Sequence, residues 1–160
     1  MIRARVITCS DSASRGERED RSGPAVRELL EKHGYTVDPV VIVPDEIDMI
    51  GGVIMRAVDA GVRLVVTTGG TGIAPRDFTP EATMRVCDRI VTGFGEVMRA
   101  ASLAKTPFAA LSRAQACTRG PALVVNVPGS VTGAVENLEA VMHLIPHALQ
   151  LLAGDTEHNA

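Results

Sequence analysis

Aromatic residues are scarce in this chain, which has no Trp, one Tyr and three Phe among its 160 residues. Modules that stack nucleic-acid bases need several exposed rings, so the composition disfavours such a function. An excess of positive charge is also missing, because 16 Lys and Arg face 19 Asp and Glu. The net charge of −3 argues against a general surface for nucleic acid or for anionic membranes. We therefore expect neither kind of partner.

Cysteines are few and widely spaced, at Cys9, Cys87 and Cys117. Without a CxxC pair, the sequence indicates neither a disulfide framework nor a structural zinc site. This cysteine usage fits a reducing, cytoplasmic compartment. Apolar runs are too short for a membrane span or for the core of a signal peptide.

The residues that are present predict one globular domain over residues 1–160. The apolar fraction of 46% and the charged fraction of 22% are ordinary globular values. Short β-branched runs alternate with helical patterns, which predicts a three-layer α/β fold with a mostly parallel sheet flanked by helices. We expect strands over residues 3–10, 35–43, 62–68, 114–118 and 122–127.

Helix boundaries are marked by capping residues, by Pro and by Gly. Ser22-Gly23-Pro24 predicts a helix start, and Gly34 its end. Asp45 and Thr79 are expected to cap two further helices. Residues 96–103 and 130–153 read as helical, with Pro146 dividing the latter segment. Residues 11–21 are expected to form an exposed, mobile loop, and the tail over 154–160 is expected to fray.

Four predicted strands end in clusters of small and polar residues. These clusters are Ser10-Asp11-Ser12, Pro44-Asp45, Thr67-Thr68-Gly69-Gly70-Thr71-Gly72 and Asn126-Val127-Pro128-Gly129-Ser130. Ligands in open α/β sheets bind beyond the carboxyl ends of strands, and parallel strands share one such edge. Turns attract these residue types in any case, so one cluster alone could be a simple turn. Four together favour a binding site.

The glycine-rich cluster has the composition of an anion-binding loop. Gly69, Gly70 and Gly72 can adopt positive φ, so successive backbone N–H groups can face one point. Thr68 and Thr71 add hydroxyl donors. A phosphate or pyrophosphate suits such a loop, although it matches neither the Walker nor the G-x-G-x-x-G pattern. A tight turn remains the alternative.

Carboxylates flank this loop at Asp45, Asp77 and Glu81. Because they would repel a polyphosphate, the pattern predicts Mg²⁺ bound by one or two carboxylates together with phosphate oxygens. Arg76 could clamp the same charge. The alternative is that Asp45 only caps a helix and that Asp77 is an ordinary loop acid.

Other candidates carry less chemistry. His143 and His147 are four residues apart, but Pro146 intervenes and no Glu gives metalloprotease spacing. Cys9 is expected to pack near a strand end rather than to act as a nucleophile. Ser112 is a possible hydroxyl ligand beside Arg113.

The run Thr67-Thr68-Gly69-Gly70-Thr71-Gly72, followed by Arg76-Asp77-x-Thr79-Pro80-Glu81-Ala82, forms a specific signature. Further matching pieces are Ser10-Asp11, Asp20 with Ser22-Gly23-Pro24, Pro44-Asp45, Gly93-Phe94-Gly95-Glu96, Leu111-Ser112-Arg113 and Asn126-Val127-Pro128-Gly129. On these residues the chain, from about Val6 to Ala153, resembles the MoaB/MogA-type molybdopterin-binding family. Enzymatic members of that family are molybdopterin adenylyltransferases. Many members carry Pro where this chain has Thr92.

The resemblance implies an α/β fold, assembly as a homotrimer, and Mg²⁺-dependent transfer of an adenylyl group from ATP to molybdopterin. It implies that the essential, metal-binding carboxylates are Asp45 and Asp77, and that Ser112 and Asn126 lie on the pterin side. The residues expected to bind substrates are Ser10, Asp11, Thr68, Gly69, Gly70, Thr71, Gly72, Ser112, Asn126, Pro128, Gly129 and Ser130. A non-catalytic pterin-binding or carrier protein and a small scaffold module remain the alternatives.

Overall fold

Seven β-strands form one sheet within residues 1–156, which the computed structural model describes. They are β1 (Arg3–Cys9), β2 (Thr36–Val37), β3 (Val41–Val43), β4 (Leu64–Thr68), β5 (Arg89–Ile90), β6 (Gln115–Arg119) and β7 (Ala122–Val127). The order is β2-β1-β4-β7-β6-β5, and β3 also pairs with β1. Strands β1, β2, β3, β4 and β7 run parallel, whereas β6 pairs antiparallel with both β7 and β5. The predicted mostly parallel sheet is confirmed.

Helices cover both faces of this sheet. They are α1 (Asp11–Ser14), α2 (Ser22–Lys32), α3 (Ile47–Asp59), α4 (Thr79–Val86), α5 (Thr92–Leu103), a 3₁₀ helix (Pro107–Leu111), α6 (Val131–Val141) and α7 (Ile145–Leu152). Successive strand residues point to opposite faces, so Val6 joins the core under α2, α5, α6 and α7, while Ile7 joins the core under α3. The three-layer α/β fold follows from this alternation.

Several boundaries agree with the sequence. Helix α2 begins at Ser22 with Pro24 in its first turn, and Gly34 follows it with a φ of 87°. Pro146 lies in the first turn of α7, where its missing N–H costs nothing, so the helical stretch is divided as predicted. Gly51 lets α3 approach α4, because a β-carbon there would lie 3.2 Å from Val86 Cγ1.

Two predicted segments differ in the structure. The strand expected over 35–43 is split into β2 and β3, since Pro39 between them has no N–H for the ladder. The loop expected over 11–21 begins with the single turn of α1, which the Ser10 hydroxyl caps by accepting from Ala13 N at 3.2 Å. Strand β5 and the 3₁₀ helix have no counterpart in the sequence prediction, and α5 begins at Thr92 rather than near Glu96.

Both predicted N-caps were wrong. Helix α3 begins at Ile47 without a side-chain cap, and the Asp45 carboxylate instead accepts from the backbone of Asp11. Thr79 is already the first residue of α4. Its hydroxyl donates to the carbonyl oxygen of Gly69 at 2.8 Å, which ties the helix to the glycine loop.

The expectation of no disulfide was also wrong, because the structure pairs Cys87 with Cys117. Strand β5 brings the two together: Ile90 lies opposite Cys117, and Asp88 N donates to Thr118 O at 2.7 Å. The Cα atoms are then 6.1 Å apart, within the range that a disulfide spans. A separation of 30 residues hides this proximity from the sequence.

Among residues 1–156, no helix is long and apolar enough to cross a membrane. Of the tail expected to fray, residues 157–160 lie outside the described residues.

Asp38 joins β1 to the turn between β2 and β3 by accepting from Arg3 at 2.7 Å and from Arg5 at 3.0 Å. The hydrogen bond from Arg3, followed by the charges of both arginines, lowers the pKa of the Asp38 carboxyl. A lowered pKa stabilises the fold above the unfolded-state value near 4, and the contribution disappears as pH falls through the folded value.

Asp38→Asn should therefore lower the free energy of unfolding by about 1 kcal/mol at neutral pH. The difference from wild type should shrink at an acidic pH at which the Asp38 carboxyl is protonated. Urea unfolding at both pH values checks this, with the exposed Asp59→Asn as the control. A loss that stays constant with pH would contradict the ionic origin.

Candidate active site at the carboxyl edge of the sheet

The four predicted clusters meet at one edge of the sheet. In the parallel register Cys9 lies opposite Val43, and Thr68 lies opposite both Thr8 and Val127. The residues that follow these strand ends are therefore neighbours in space. The convergence that the sequence predicted from a parallel sheet is confirmed.

The glycine loop follows β4 in a conformation that needs glycine. Gly69 and Gly70 have φ values of 97° and 67°. A β-carbon on Gly69 would collide with the carbonyl oxygen of Cys9, and one on Gly70 with the Thr79 hydroxyl. A β-carbon on Gly129 would lie 3.2 Å from Gly69 Cα, so the loop after β7 also packs closely here. Side chains are excluded, and the backbone itself forms the floor of the site.

Arg113 holds the outer part of this loop. Its backbone N–H donates to Thr71 O at 2.7 Å, and its guanidinium donates to Gly72 O at 2.8 Å and to Asp77 O at 2.7 Å. The same guanidinium forms an ion pair with Glu81. A planar fork with five N–H donors suits several acceptors at once, so one side chain fixes residues 71–77.

Three consecutive backbone donors remain available in the loop. Thr79 N donates to Gly70 O at 3.1 Å, and the Thr79 hydroxyl donates to Gly69 O. Because these two carbonyls face Thr79, the N–H groups of the same peptides point away from it. No hydrogen bond within the described residues uses the N–H of Gly70, Thr71 or Gly72. Successive unpaired N–H groups after positive-φ residues form an anion-binding nest.

Asp11 and Asp45 bind each other through their backbones. Asp11 N donates to Asp45 Oδ2 at 3.0 Å, and Asp45 N donates to Asp11 Oδ1 at 3.0 Å. Arg76 closes the arrangement by donating to both Asp11 oxygens, at 2.6 and 3.1 Å, and to Asp45 O at 3.2 Å. The loops after β1, β3 and β4 are thereby locked together, and the second oxygen of Asp45 is left free.

That second oxygen, Asp45 Oδ1, is buried and has no hydrogen-bond partner among the described residues. It points toward the glycine loop, since a β-carbon on Gly70 would lie 3.2 Å from it. Burial raises the pKa of the Asp45 carboxyl, and the charges of Asp11 and Asp77 raise it further against the hydrogen bond from Asp11 N. A buried carboxylate oxygen without a donor is a favourable place for a cation.

These residues fit a magnesium ion that is shared with a substrate. Within residues 1–156 no three His, Cys, Asp or Glu side chains gather as a protein-only metal site. Mg²⁺ commonly takes one or two carboxylates and completes its shell with phosphate oxygens and water. Asp45 supplies a free oxygen, and Asp77 lies on the other side of the loop, where a β-carbon on Gly72 would be 2.7 Å from Asp77 Oδ2.

Two pockets meet at the loop. The first pocket, of about 560 Å³, lies over β1 and β4 and includes Asp45 and the loop after α1. The second pocket, of about 390 Å³, lies on the other side and includes Asp77, Phe108 and Leu111. Gly70 and Gly129 line both. A molecule in each pocket would therefore meet its neighbour at the anion-binding loop.

Most of the residues singled out by the sequence line these pockets. The first pocket includes Ser10, Asp45, Thr68, Gly69, Gly70, Gly129 and Ser130. The second includes Gly70, Thr71, Gly72, Asp77, Ser112, Pro128 and Gly129.

Two of the predicted residues lie elsewhere. Asp11 lines neither pocket and supports Asp45 and Arg76 instead. Asn126 is fully buried behind the loop, where its amide donates to the hydroxyls of Thr67 at 2.8 Å and Thr83 at 3.1 Å.

Sequence reasoning missed two contributors to the site. Asp20 lies just before α2, accepts from Gly23 N at 3.0 Å and from the Thr8 hydroxyl at 2.8 Å, and lines the first pocket. Arg113 was noted only as the neighbour of Ser112. Its signal is its place in the Leu-Ser-Arg piece, although the sequence alone does not show that it reaches Gly72.

Cys9 also lines the first pocket, but its chemistry is suppressed. Burial raises the pKa of its thiol to about 12, so it stays protonated at neutral pH and is a poor nucleophile.

A mostly parallel α/β sheet whose carboxyl edge carries a glycine loop with free backbone donors has the features of a binding site for phosphorylated ligands. The comparison with known families makes this specific. A family model described as "Probable molybdopterin binding domain" matches residues 5–147, and the chain belongs to this family.

Individual relatives agree over nearly the whole chain. The molybdopterin adenylyltransferase of Helicobacter pylori (strain J99) is 44% identical over 155 residues, which cover 94% of this chain and 87% of that protein. The molybdopterin adenylyltransferase of Escherichia coli K12 is 38% identical, and the matched region covers 96% of this chain and 86% of that protein. The crystal structure of the molybdopterin biosynthesis enzyme MoaB from Thermus thermophilus superposes with a TM-score of 0.90 at 49% identity. The match covers 96% of this chain and 98% of that chain.

Proposed function

We propose that this protein is a molybdopterin adenylyltransferase of molybdenum cofactor biosynthesis. It transfers the adenylyl group of ATP to molybdopterin in the presence of Mg²⁺ and releases pyrophosphate. The observation that carries this proposal is the unpaired Asp45 Oδ1 beside the anion-binding loop, at the junction of two pockets. The relatives named adenylyltransferases, at 38–44% identity, support the same reaction.

The two pockets divide the substrates between them. ATP lies in the first pocket with its phosphates toward Gly69 and Gly70. Molybdopterin lies in the second pocket, where Ser112 and the N–H groups of Thr71 and Gly72 receive its terminal phosphate. In this arrangement an oxygen of the molybdopterin phosphate faces the α-phosphorus of ATP.

The reaction is one displacement at that phosphorus. A bond forms between the molybdopterin phosphate oxygen and the α-phosphorus, and the bond from this phosphorus to the bridging oxygen of the β-phosphate breaks. Pyrophosphate leaves with the electron pair. Loop N–H groups are fixed before the reaction and can stabilise negative charge on the equatorial oxygens of the transition state.

Asp45 and Asp77 would hold Mg²⁺, which would neutralise the charge of the phosphates when bound. Asp11 does not contact substrate in this account. It orients Asp45 through the two backbone hydrogen bonds, and it holds Arg76 near the carboxylates.

Further features of the protein stay predictions of the same proposal. We expect a single domain over residues 1–160, a homotrimer, and a place in the cytoplasm, where ATP is plentiful. Nucleic acid and membranes are not expected as partners.

Pyrophosphate release tests the proposal. Purified protein mixed with molybdopterin, ATP and Mg²⁺ should release pyrophosphate, and omission of any one of the three should stop the release. Molybdopterin binding without release under complete conditions would indicate the carrier alternative. Absence of molybdopterin binding would exclude both the adenylyltransferase and the carrier function.

Arg113→Lys should reduce kcat by about 10- to 100-fold, because a single ammonium cannot hold Gly72 O, Asp77 O and Glu81 together and the loop loses its position. KM for ATP should change much less. Steady-state kinetics separates the two parameters.

Arg119→Lys is the matched control, since Arg119 also lies on the β6 side but its guanidinium donates only to Val86 O. Equal kinetics for the two variants would show that Arg113 does not position the loop.

A further inference from the structure

The disulfide joins Cys87, directly after α4, to Cys117 in β6. Disulfides are rare in the reducing cytoplasm predicted for this protein, and those that occur there are mostly transient and respond to redox conditions. We propose that Cys87 and Cys117 form a site of reversible thiol–disulfide exchange, whose redox state decides whether residues 87–91 stay fixed on β6. This exchange is independent of adenylyl transfer and needs only the predicted compartment.

The two sulfur atoms differ in their access to solvent. Cys117 is fully buried within β6, where its strand neighbours cover it on both faces of the sheet. Cys87 is only half-buried, because it follows the last turn of α4 at the edge of the fold. A small thiol can therefore reach Cys87 but not Cys117. Attack takes place at Cys87, and Cys117 is the leaving group.

Positive charge surrounds the accessible sulfur. The Arg119 guanidinium donates to Val86 O at 2.5 Å, which is the carbonyl of the peptide bond between Val86 and Cys87. Arg85 and Arg89 lie two residues before and after Cys87, and both are exposed. Cations beside a cysteine favour the thiolate, which is the reactive form. They also attract anionic thiols and disulfides such as glutathione.

The exchange moves two electrons between the protein and small thiols. A thiolate attacks Cys87 Sγ, the bond between the two protein sulfur atoms breaks, and Cys117 leaves as a thiolate that takes up a proton. A second small thiolate attacks the small molecule's sulfur in the mixed disulfide, and Cys87 leaves and is protonated. The protein is reduced to two thiols, while the two small thiols are oxidised to one disulfide. A low-molecular-weight disulfide such as oxidised glutathione reverses both steps.

Reduction removes the covalent anchor of strand β5. This strand consists of Arg89 and Ile90 alone, and both are exposed, so it buries little apolar surface. The backbone bonds that flank it run from Asp88 N to Thr118 O at 2.7 Å and from Val91 N to Ala116 O at 2.8 Å. An edge strand of this length is marginally stable without further support. In the reduced protein, residues 87–91 therefore open locally and uncover the edge of β6.

Alkylation of the folded protein with iodoacetamide, followed by peptide mass spectrometry, tests the exchange site. After treatment with oxidised glutathione, the linked pair of peptides that contain Cys87 and Cys117 should be found, without label on either. After dithiothreitol, Cys87 should be labelled faster than Cys117, and a return to oxidised glutathione before alkylation should restore the linked pair. Cys9 is the internal control, since it is buried and unpaired and should stay unlabelled throughout.

Two results of this experiment would overturn the exchange site. Label on Cys87 after treatment with oxidised glutathione would show that the two cysteines do not pair. Absence of label on Cys87 after dithiothreitol would show a permanent structural disulfide that small thiols do not reach. Neither result affects the proposed function, which pyrophosphate release measures separately.

Hydrogen exchange tests the conformational consequence. In peptides that cover residues 84–91, exchange should be about tenfold faster in the reduced wild type than in the oxidised wild type. Exchange in β4 and β7, at the centre of the sheet, should be the same in both forms. Cys87→Ser should show the fast exchange under both conditions, because it cannot form the disulfide. Equal exchange over residues 84–91 in the two forms of the wild type would contradict the opening of β5.

Discussion

Replacement of Asp45 by asparagine should lower kcat for adenylyl transfer by about 10²- to 10³-fold. Asparagine keeps the shape of the side chain and can still accept from Asp11 N, so the three joined loops should remain in place. The charge beside the glycine loop is lost, and with it the strongest ligand for a cation at Oδ1. Binding of molybdopterin should be nearly unchanged, because the second pocket does not include Asp45.

Asp48→Asn is the matched control for this experiment. Asp48 lies three residues further along the chain, in the first turn of α3, and its side chain is exposed. Its kcat should equal that of the wild type within a factor of about two, as is usual for an exposed residue away from the site. Asp77→Ala should resemble Asp45→Asn and retain pterin binding. A kcat within threefold of wild type for both Asp45→Asn and Asp77→Ala would remove the carboxylates from the mechanism.

Gly69→Ala should damage both stability and activity. Alanine at a φ of 97° is strained, and its β-carbon would collide with the backbone of Cys9, which cannot move without disturbing β1. The two effects together should cost about 2–4 kcal/mol of unfolding free energy. Displacement of the loop by about 1 Å should also reduce kcat by about 10²-fold. Urea unfolding and steady-state kinetics measure the two effects.

Gly34→Ala separates strain from collision. Gly34 has a similar φ of 87°, but a β-carbon there meets nothing within 4 Å. This variant should lose about 1 kcal/mol of stability and no activity. If Gly69→Ala loses no more unfolding free energy than Gly34→Ala, the close packing of the loop on Cys9 does not contribute to stability.

The edge of the sheet could be predicted because its signals are local. Largely apolar sequences in β4 and β7 indicate strands that are buried on both faces of a parallel sheet. Parallel strands place their carboxyl ends together, so the polar clusters after them had to converge. The glycine loop, Asp45 and Asp77 were therefore found without knowledge of the structure.

Other features could not be predicted because they depend on contacts between distant residues. The disulfide requires β5, a two-residue strand with both residues exposed and without a hydrophobic pattern. The prediction that Asp45 caps a helix was wrong for a related reason. A short acidic residue before a helix is a typical cap, but here the Asp45 carboxylate accepts from the backbone N–H of Asp11 instead. The bonds by which Asp11 supports Asp45 and Arg113 holds the glycine loop join distant segments, so no single segment of the sequence shows them.

The assignment of Asn126 to the pterin side stays a prediction. The family pattern placed it beside the pterin, whereas in the structure its side chain is buried between Thr67 and Thr83.

The most direct measurement follows the α-phosphorus of ATP. Wild-type protein is incubated with molybdopterin, Mg²⁺ and ATP that carries radioactive phosphorus at the α position, and the products are separated. We expect the label to appear on molybdopterin in an amount equal to the pyrophosphate released, and we expect Asp45→Asn to form almost no labelled molybdopterin. Label that remains in ATP, or that appears only in free AMP while molybdopterin is bound, would contradict it.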